Sequence, residues 1–282
     1  MRRRFGLAIR RYAQVFVFAL VATAVLTFVA ASATAQTKVD LELVLAVDVS
    51  LSMDLDEQRL QREGYVAAFR DPEIHKAITS GPHARIAVTY IEWAGTTSQA
   101  VVVPWTILDS PAAAEAFASK LEQLPITRAR FTSISSALSF SRDLFASSGA
   151  AGIRRVIDVS GDGPNNAGFP VQPVRDEVVA AGIVINGLPI MLKAPTSSMF
   201  DIPDLDQYYA ACVIGGTGSF LVPVRDLAEF KLAIRRKLLL EVSGIASPAR
   251  IIPVQNTQDD GFDCLIGEKL WRGFYFPERG PN

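Results

Sequence analysis

Beyond its first 35 residues the chain alternates short apolar runs with stretches whose apolar residues recur at helical spacing. Residues 41–47 (Leu-Glu-Leu-Val-Leu-Ala-Val) make a near-continuous apolar run, the pattern of a strand covered on both faces. Asp54-Leu55-Asp56-Glu57 has the form of a capping box and predicts a helix from Leu55 to about Arg70, ended near Pro72. Residues 85–93 and 99–105 read as two strands of a hairpin around Gly95-Thr96-Thr97. Pro104, which has no amide hydrogen to donate, puts the second of these at a sheet edge. Ser110-Pro111 opens a helix over 111–123. Pro125 to Phe131 is a loop, and Thr132 or Ser133 caps a helix over 133–147.

A fourth strand is expected over 153–159, a helix over 171–181 ending at Gly182, and a fifth strand over 183–188. A loop with Pro189, Pro195 and Pro203 follows, and Asp204-x-x-Gln207 reads as a second capping box opening a helix to about Ala211. Gly215-Gly216-Thr217-Gly218 turns into a sixth strand, 219–224, and residues 226–242 read as a strongly amphipathic helix. The tail from Ile245 to Asn282 is aromatic-rich and without clear periodicity. The alternation predicts an α/β fold: a doubly wound, Rossmann-like, mostly parallel six-stranded sheet with one antiparallel edge strand and helices on both faces. The domain is expected over 36–244, with the tail, 245–282, packed on it.

Residues 1–35 stand apart. Five arginines between Arg2 and Arg11, an apolar stretch from Val15 to Val29 and Ala33-Thr34-Ala35 have the form of a secretory signal cut after Ala35. The expected location is therefore periplasmic or secreted. An uncleaved membrane anchor is the alternative, although the apolar stretch is shorter than the roughly 20 residues a span requires. Without those arginines, 23 basic residues face 29 acidic ones, a balance of about −6. No basic stripe with interleaved aromatics suggests nucleic acid. Cys212 and Cys264 are the two cysteines, and in an exported chain they are expected to pair.

The candidate chemistry lies at strand ends. Asp48 closes the first strand and begins Asp48-Val49-Ser50-Leu51-Ser52; Thr132 stands at a helix start; Asp162-Gly163 lies just past the fourth strand. Singly, each is an ordinary cap or turn residue. Together, Asp48, Ser50, Ser52, Thr132 and Asp162 supply hard oxygen donors for a divalent cation, magnesium or manganese. They meet if the first and fourth strands are neighbours, because ligands in such sheets bind beyond the carboxyl ends where strand order reverses. Asp158, inside the fourth strand, calls for a polar partner such as Arg154 or Arg155. Asp259 to Asp263 resembles half a calcium loop without its spacing, and reads as a solvated turn.

This constellation resembles the von Willebrand factor type A family, whose metal-ion-dependent adhesion site has Asp-x-Ser-x-Ser, a later threonine and a later Asp-Gly. The matching positions are Asp48, Ser50, Ser52, Thr132 and Asp162, and the resemblance extends over residues 39–243. Within the family the chain is most similar to a bacterial exported subgroup. Family members often have Thr-Asp-Gly where this chain has Ser160-Gly161-Asp162-Gly163. They also often have glycine before the threonine, where Arg130 and Phe131 stand. The resemblance implies a non-enzymatic module that captures a carboxylate of a protein partner through the ion. The competing reading is a metal-assisted hydrolase or phosphatase using the same site. A lack of histidine, lysine or cysteine in the constellation, and of nucleophile-elbow or Walker motifs, weighs against it.

Overall fold

A computed structural model describes residues 36–192, 202–244 and 262–275. The expected signal segment 1–35, Pro195 and Asp259-Asp260-Gly261 lie outside the described residues.

The described residues from Thr37 onward form one compact unit. Its elements are β1 (Thr37–Asp48), α1 (Leu55–Phe69), α2 (Pro72–Ile78), β2 (Ile86–Trp93), β3 (Gln99–Leu108), α3 (Pro111–Gln123), α4 (Ile134–Leu144), β4 (Ala150–Gly161), α5 (Val171–Ala180), β5 (Val184–Pro189), the single turn α6 (Leu205–Tyr208), α7 (Phe230–Ser243) and α8 (Ile266–Tyr275). The sheet order is β3-β2-β1-β4-β5. β1 pairs in parallel with both β2 and β4, β4 pairs in parallel with β5, and β3 is the antiparallel edge. Pro104 sits in that edge strand where the β2–β3 register shifts, between the Tyr90–Val103 and Val88–Thr106 pairs.

Strand alternation divides the core. Leu41, Leu43, Leu45 and Val47 of β1 pack with Tyr65 and Phe69 of α1, Phe117 of α3 and Phe230, Ile234 and Leu238 of α7. Val44 and Ala46 face the other way, toward Ile134 and Leu138 of α4, Val174 of α5 and Tyr208 and Tyr209 around α6. Each buried leucine or valine of β1 contributes roughly 1.5–3 kcal/mol by leaving water, so β1 is fixed from both sides and carries Asp48 to a defined place.

The described residues contain five strands, not six. Residues 219–224 do run beside β5: Gly187 N donates to Phe220 O at 3.0 Å and Val222 N to Gly187 O at 3.0 Å. Only isolated bridges form, at Gly187–Leu221 and Ile190–Val224. The reason is chemical, since Pro189 stands where a continuous ladder needs an amide donor to the Val222 carbonyl.

Helix starts follow the sequence more closely. Asp54 Oδ1 accepts from Glu57 N at 2.8 Å, and Glu57 Oε2 accepts from Asp54 N at 2.9 Å, a reciprocal capping box. The second expected box does not form: Asp204 Oδ1 accepts from the Gln207 side chain at 3.2 Å rather than from backbone. α6 stops after one turn and passes into a wider π-type turn, Tyr209–Val213. α7 begins at Phe230, after a 3-10 turn over Leu227–Glu229, and its inner face is not purely apolar because Lys237 and Glu241 are buried on it.

The tail contains a helix that its sequence was not expected to form. α8 follows Cys264, which is bonded to Cys212 with the Cα atoms 5.6 Å apart. Its Gly267 lies so near the Asn165 carbonyl that an added Cβ would stand 2.1 Å from that oxygen. Only glycine permits this approach. Among the described residues no helix is long and apolar enough to cross a membrane.

Candidate metal centre

β1 and β4 end side by side, Val47 opposite Ser160, at the point where the strand order reverses. Asp48 is fully buried there. Its Oδ1 accepts from Ser50 N at 2.7 Å, closing a tight turn after β1. Ser50 Oγ lies 2.6 Å from Ser52 Oγ, and Ser52 Oγ donates to Asp162 Oδ1 at 2.7 Å. Four of the five candidate residues therefore form one hydrogen-bonded series joining the β1 turn to the loop after β4.

Thr132 is attached differently. Its N–H donates to Asn166 Oδ1 at 2.8 Å, and its carbonyl accepts from Asn166 N at 2.8 Å. The threonine loop is thus clamped by backbone to the loop that follows Asp162. The Thr132 hydroxyl makes no hydrogen bond to the other four candidates. Asn165 extends the clamp: its Oδ1 accepts from Ser135 N at 3.1 Å and its Nδ2 donates to Glu268 Oε1 of α8 at 2.7 Å.

Burial, and then the charge of neighbouring Asp162, push the Asp48 carboxyl well above the usual range, opposed by the Ser50 hydrogen bonds. Among the described residues no cationic side chain reaches Asp48, and its Oδ2 has no hydrogen-bond partner. Tyr209 Oη is also buried without a partner. Both oxygens approach one spot: a Cβ added to Gly161 would stand 2.8 Å from Tyr209 Oη and 2.9 Å from Asp48 Oδ2. Burial, then Asp48, raise the Tyr209 phenol well above its ordinary value, so it stays protonated with a hydroxyl to donate.

The donor set suits a hard divalent cation. Two carboxylates lie close enough to repel, one Asp48 oxygen has no hydrogen-bond partner among the described residues, and serine hydroxyls fill the edge. Nitrogen or sulfur ligation has no counterpart here: among the described residues no three His, Cys, Asp or Glu side chains group as metal ligands.

Asp158 does not pair with Arg154 or Arg155. Those guanidinium groups bond the Val242 and Ala181 carbonyls. Strand alternation turns Asp158 under the sheet, where Lys237 of α7 stands 2.5 Å away and also pairs with Glu241. Asn165, Asn166 and Tyr209 are the site residues that local reading passes over. The Asn-Asn pair behind Asp162-Gly163-Pro164 is a visible polar signal, but nothing in the sequence assigns its partners.

Residues 38–246 match the family described as "Protein of unknown function (DUF1194)". The chain belongs to the DUF1194 family. No curated protein matches it. Among solved structures, this DUF1194 chain is similar to proximal thread matrix protein 1 from the mussel byssus, with 15% identity and a TM-score of 0.52 over 74% of this chain and 49% of that one. A further structure of the mussel protein, at 13% identity and a TM-score of 0.51 over 74% of this chain and 49% of that one, has a zinc-occupied MIDAS motif. The pilus adhesin SpaC from Lactobacillus rhamnosus GG matches at 10% identity and a TM-score of 0.56, over 74% of this chain and 32% of that one. The DUF1194 chain thus spans about half the length of the mussel protein and about a third of the adhesin. The shared feature is the fold, an α/β sheet, which in this chain has one antiparallel edge.

Proposed function

We propose that this chain is an exported, metal-dependent protein-binding module of the adhesion type, acting from the periplasm or outside the cell. Asp48, Ser50, Ser52, Thr132 and Asp162 would hold magnesium or manganese. The ion supplies a Lewis-acidic position for a carboxylate of a partner protein. The observation that carries this reading is the buried Asp48, with an orphan oxygen, linked through Ser50 and Ser52 to a second carboxylate from another strand. Among the described residues no base reaches the buried Asp48 carboxylate, which needs a compensating charge, and a divalent ion would supply it.

The chain's own residues do three things in this reading. β1 and β4 deliver the two acids to one edge. The Ser50 and Ser52 hydroxyls supply neutral donors, which leave the ion's remaining charge for an anionic ligand. The Thr132–Asn166 clamp holds the third loop beside them. No observation favours the hydrolytic alternative. His75 ties its Nε2 to the Phe69 carbonyl at 2.6 Å, and His83 donates its backbone N–H to Asp40, near the start of β1, at 2.9 Å, so neither histidine stands among the candidate residues.

The test is magnesium titration followed by calorimetry, alongside capture of partners from a periplasmic extract with and without chelator. Wild-type protein should bind the ion and capture a partner only in its presence. Asp48→Ala should do neither while keeping its circular dichroism. A partner held equally well in chelator would refute the reading.

A further inference from the structure

The sequence expectation concerns the ion; the surface around it carries more. Phe131, just before Thr132, adopts φ 71°, a left-handed conformation costly for an aromatic residue. Its ring is nevertheless 42% exposed and packs edge-on against Trp271 of α8, with centroids 5.0 Å apart. α8 is brought there by the Cys212–Cys264 bond and by the Asn165–Glu268 hydrogen bond. The tail helix is therefore a wall of the candidate site. Phe169, 78% exposed, completes an apolar rim from the loop after β4, whose Asn165 bonds the Phe169 carbonyl at 3.1 Å.

The same rim carries exposed arginines. Arg59, Arg62, Arg70, Arg142, Arg175, Arg225 and Arg235 each pair with an acid, whereas Arg154 and Arg155 bond backbone carbonyls. Arg130 and Arg272, each adjacent in the chain to one ring of the Phe131–Trp271 pair, are exposed and have no acidic partner among the described residues. Arg128 instead lays its guanidinium on the Leu51 and Met53 carbonyls of the Asp48 turn, at 3.1 and 2.5 Å. Three arginines without acids collect at the rim of a protein whose balance beyond residue 35 is negative. Such a collar steers and orients an acidic partner, while exposed aromatic rings beside it supply contact area.

We infer that the rim built by the β1 turn, the Phe131 loop and α8 docks an acidic segment of a partner protein in which aliphatic or aromatic side chains alternate with carboxylates. This rests on the proposed metal reading: one carboxylate meets the ion, others face Arg130 and Arg272, and an apolar side chain lies on the Phe131–Trp271 pair.

The test uses the purified full chain and three short synthetic peptides: alternating Glu with Phe and Leu, the same with Gln for Glu, and the same with Ser for Phe and Leu. In magnesium the first should bind best. Arg130→Glu with Arg272→Glu should weaken it by about tenfold or more, and Phe169→Ser should weaken it further. Neither change should alter affinity for magnesium alone. Equal binding of the Gln or Ser peptide, or unchanged binding by the charge-reversed variant, would overturn the docking surface and leave the metal reading intact. Absence of magnesium binding by the wild type would remove the reading, and the docking surface with it.

Discussion

Ser52 donates its hydroxyl to Asp162 at 2.7 Å across 110 positions of sequence, and so fastens the turn after β1 to the loop after β4. Ser52 is exposed, and little packing depends on it. Ser52→Ala is therefore expected to lower magnesium affinity by roughly 10- to 100-fold, as loss of a ligand or its orienting partner does. Folding stability should change by only about 1 kcal/mol. Calorimetric titration and thermal melting measure the two separately, and a melt that moves while metal affinity stays fixed would make Ser52 architectural.

Gly161 leaves room where two orphan oxygens approach. Alanine there would push a methyl group to 2.8 Å from Tyr209 Oη and 2.9 Å from Asp48 Oδ2. Both neighbours are buried and packed, so Gly161→Ala should destabilise by about 1–3 kcal/mol and displace Asp48. Adding Tyr209→Phe removes the oxygen nearest the new methyl and should recover part of the loss. A double variant no more stable than the single one would show that the clash is with Asp48 alone.

The parts of this arrangement that could be read from sequence are those set by strand periodicity. Asp48 and Asp162 each follow an apolar run, and runs of that kind make neighbouring parallel strands whose ends share an edge. Tyr209 could not be found that way, because its place beneath Asp48 depends on the π-type turn that replaces the expected helix end. Asp158 misled for a related reason. Arg154 and Arg155 are near in sequence, whereas Lys237 arrives from the last helix of the domain. The sixth strand had the right residues in the right place, but Pro189 of its partner strand withheld a hydrogen-bond donor. In α8 the apolar positions Ile266, Leu270 and Phe274 do recur every four residues. Two glycines and the short length hid a helix held by a disulfide and by contact with Asn165.

The Cys212–Cys264 bond joins residues separated by 52 positions. In the loop-entropy model such a closure stabilises by about 4 kcal/mol. Cys264→Ser, or wild-type protein in reductant, is expected to melt several degrees lower. Trp271 fluorescence should shift as the Phe131 contact loosens. Lowered melting without any fluorescence change would mean that α8 is held by its own contacts and the bond acts only on the unfolded chain.

Beneath the site, Lys237 of α7 serves two acids at once, Asp158 of β4 and its own helix neighbour Glu241, all three buried. Tyr65 Oη donates to Asp158 at 3.4 Å and Asn186 Nδ2 to Glu241 at 3.2 Å, while Arg154 lies near enough to feel Glu241. One base cannot neutralise two carboxylates, and burial, then the Asp158 charge, raises Glu241 from 4.5 to about 8. The folded protein therefore holds a proton on Glu241 that the unfolded chain releases above its ordinary value. Between pH 4.5 and about 8 the native state binds more protons than the unfolded state, so stability should fall as pH rises through this window and level off above it. The loss is on the order of a few kcal/mol. Glu241→Gln should flatten the slope in urea melts taken across the window. Lys237→Met should cost roughly 3–5 kcal/mol at neutral pH, because it leaves the buried Asp158 carboxylate without its base, and should steepen the slope. A Glu241→Gln profile with the wild-type slope would move the titrating group elsewhere in the chain.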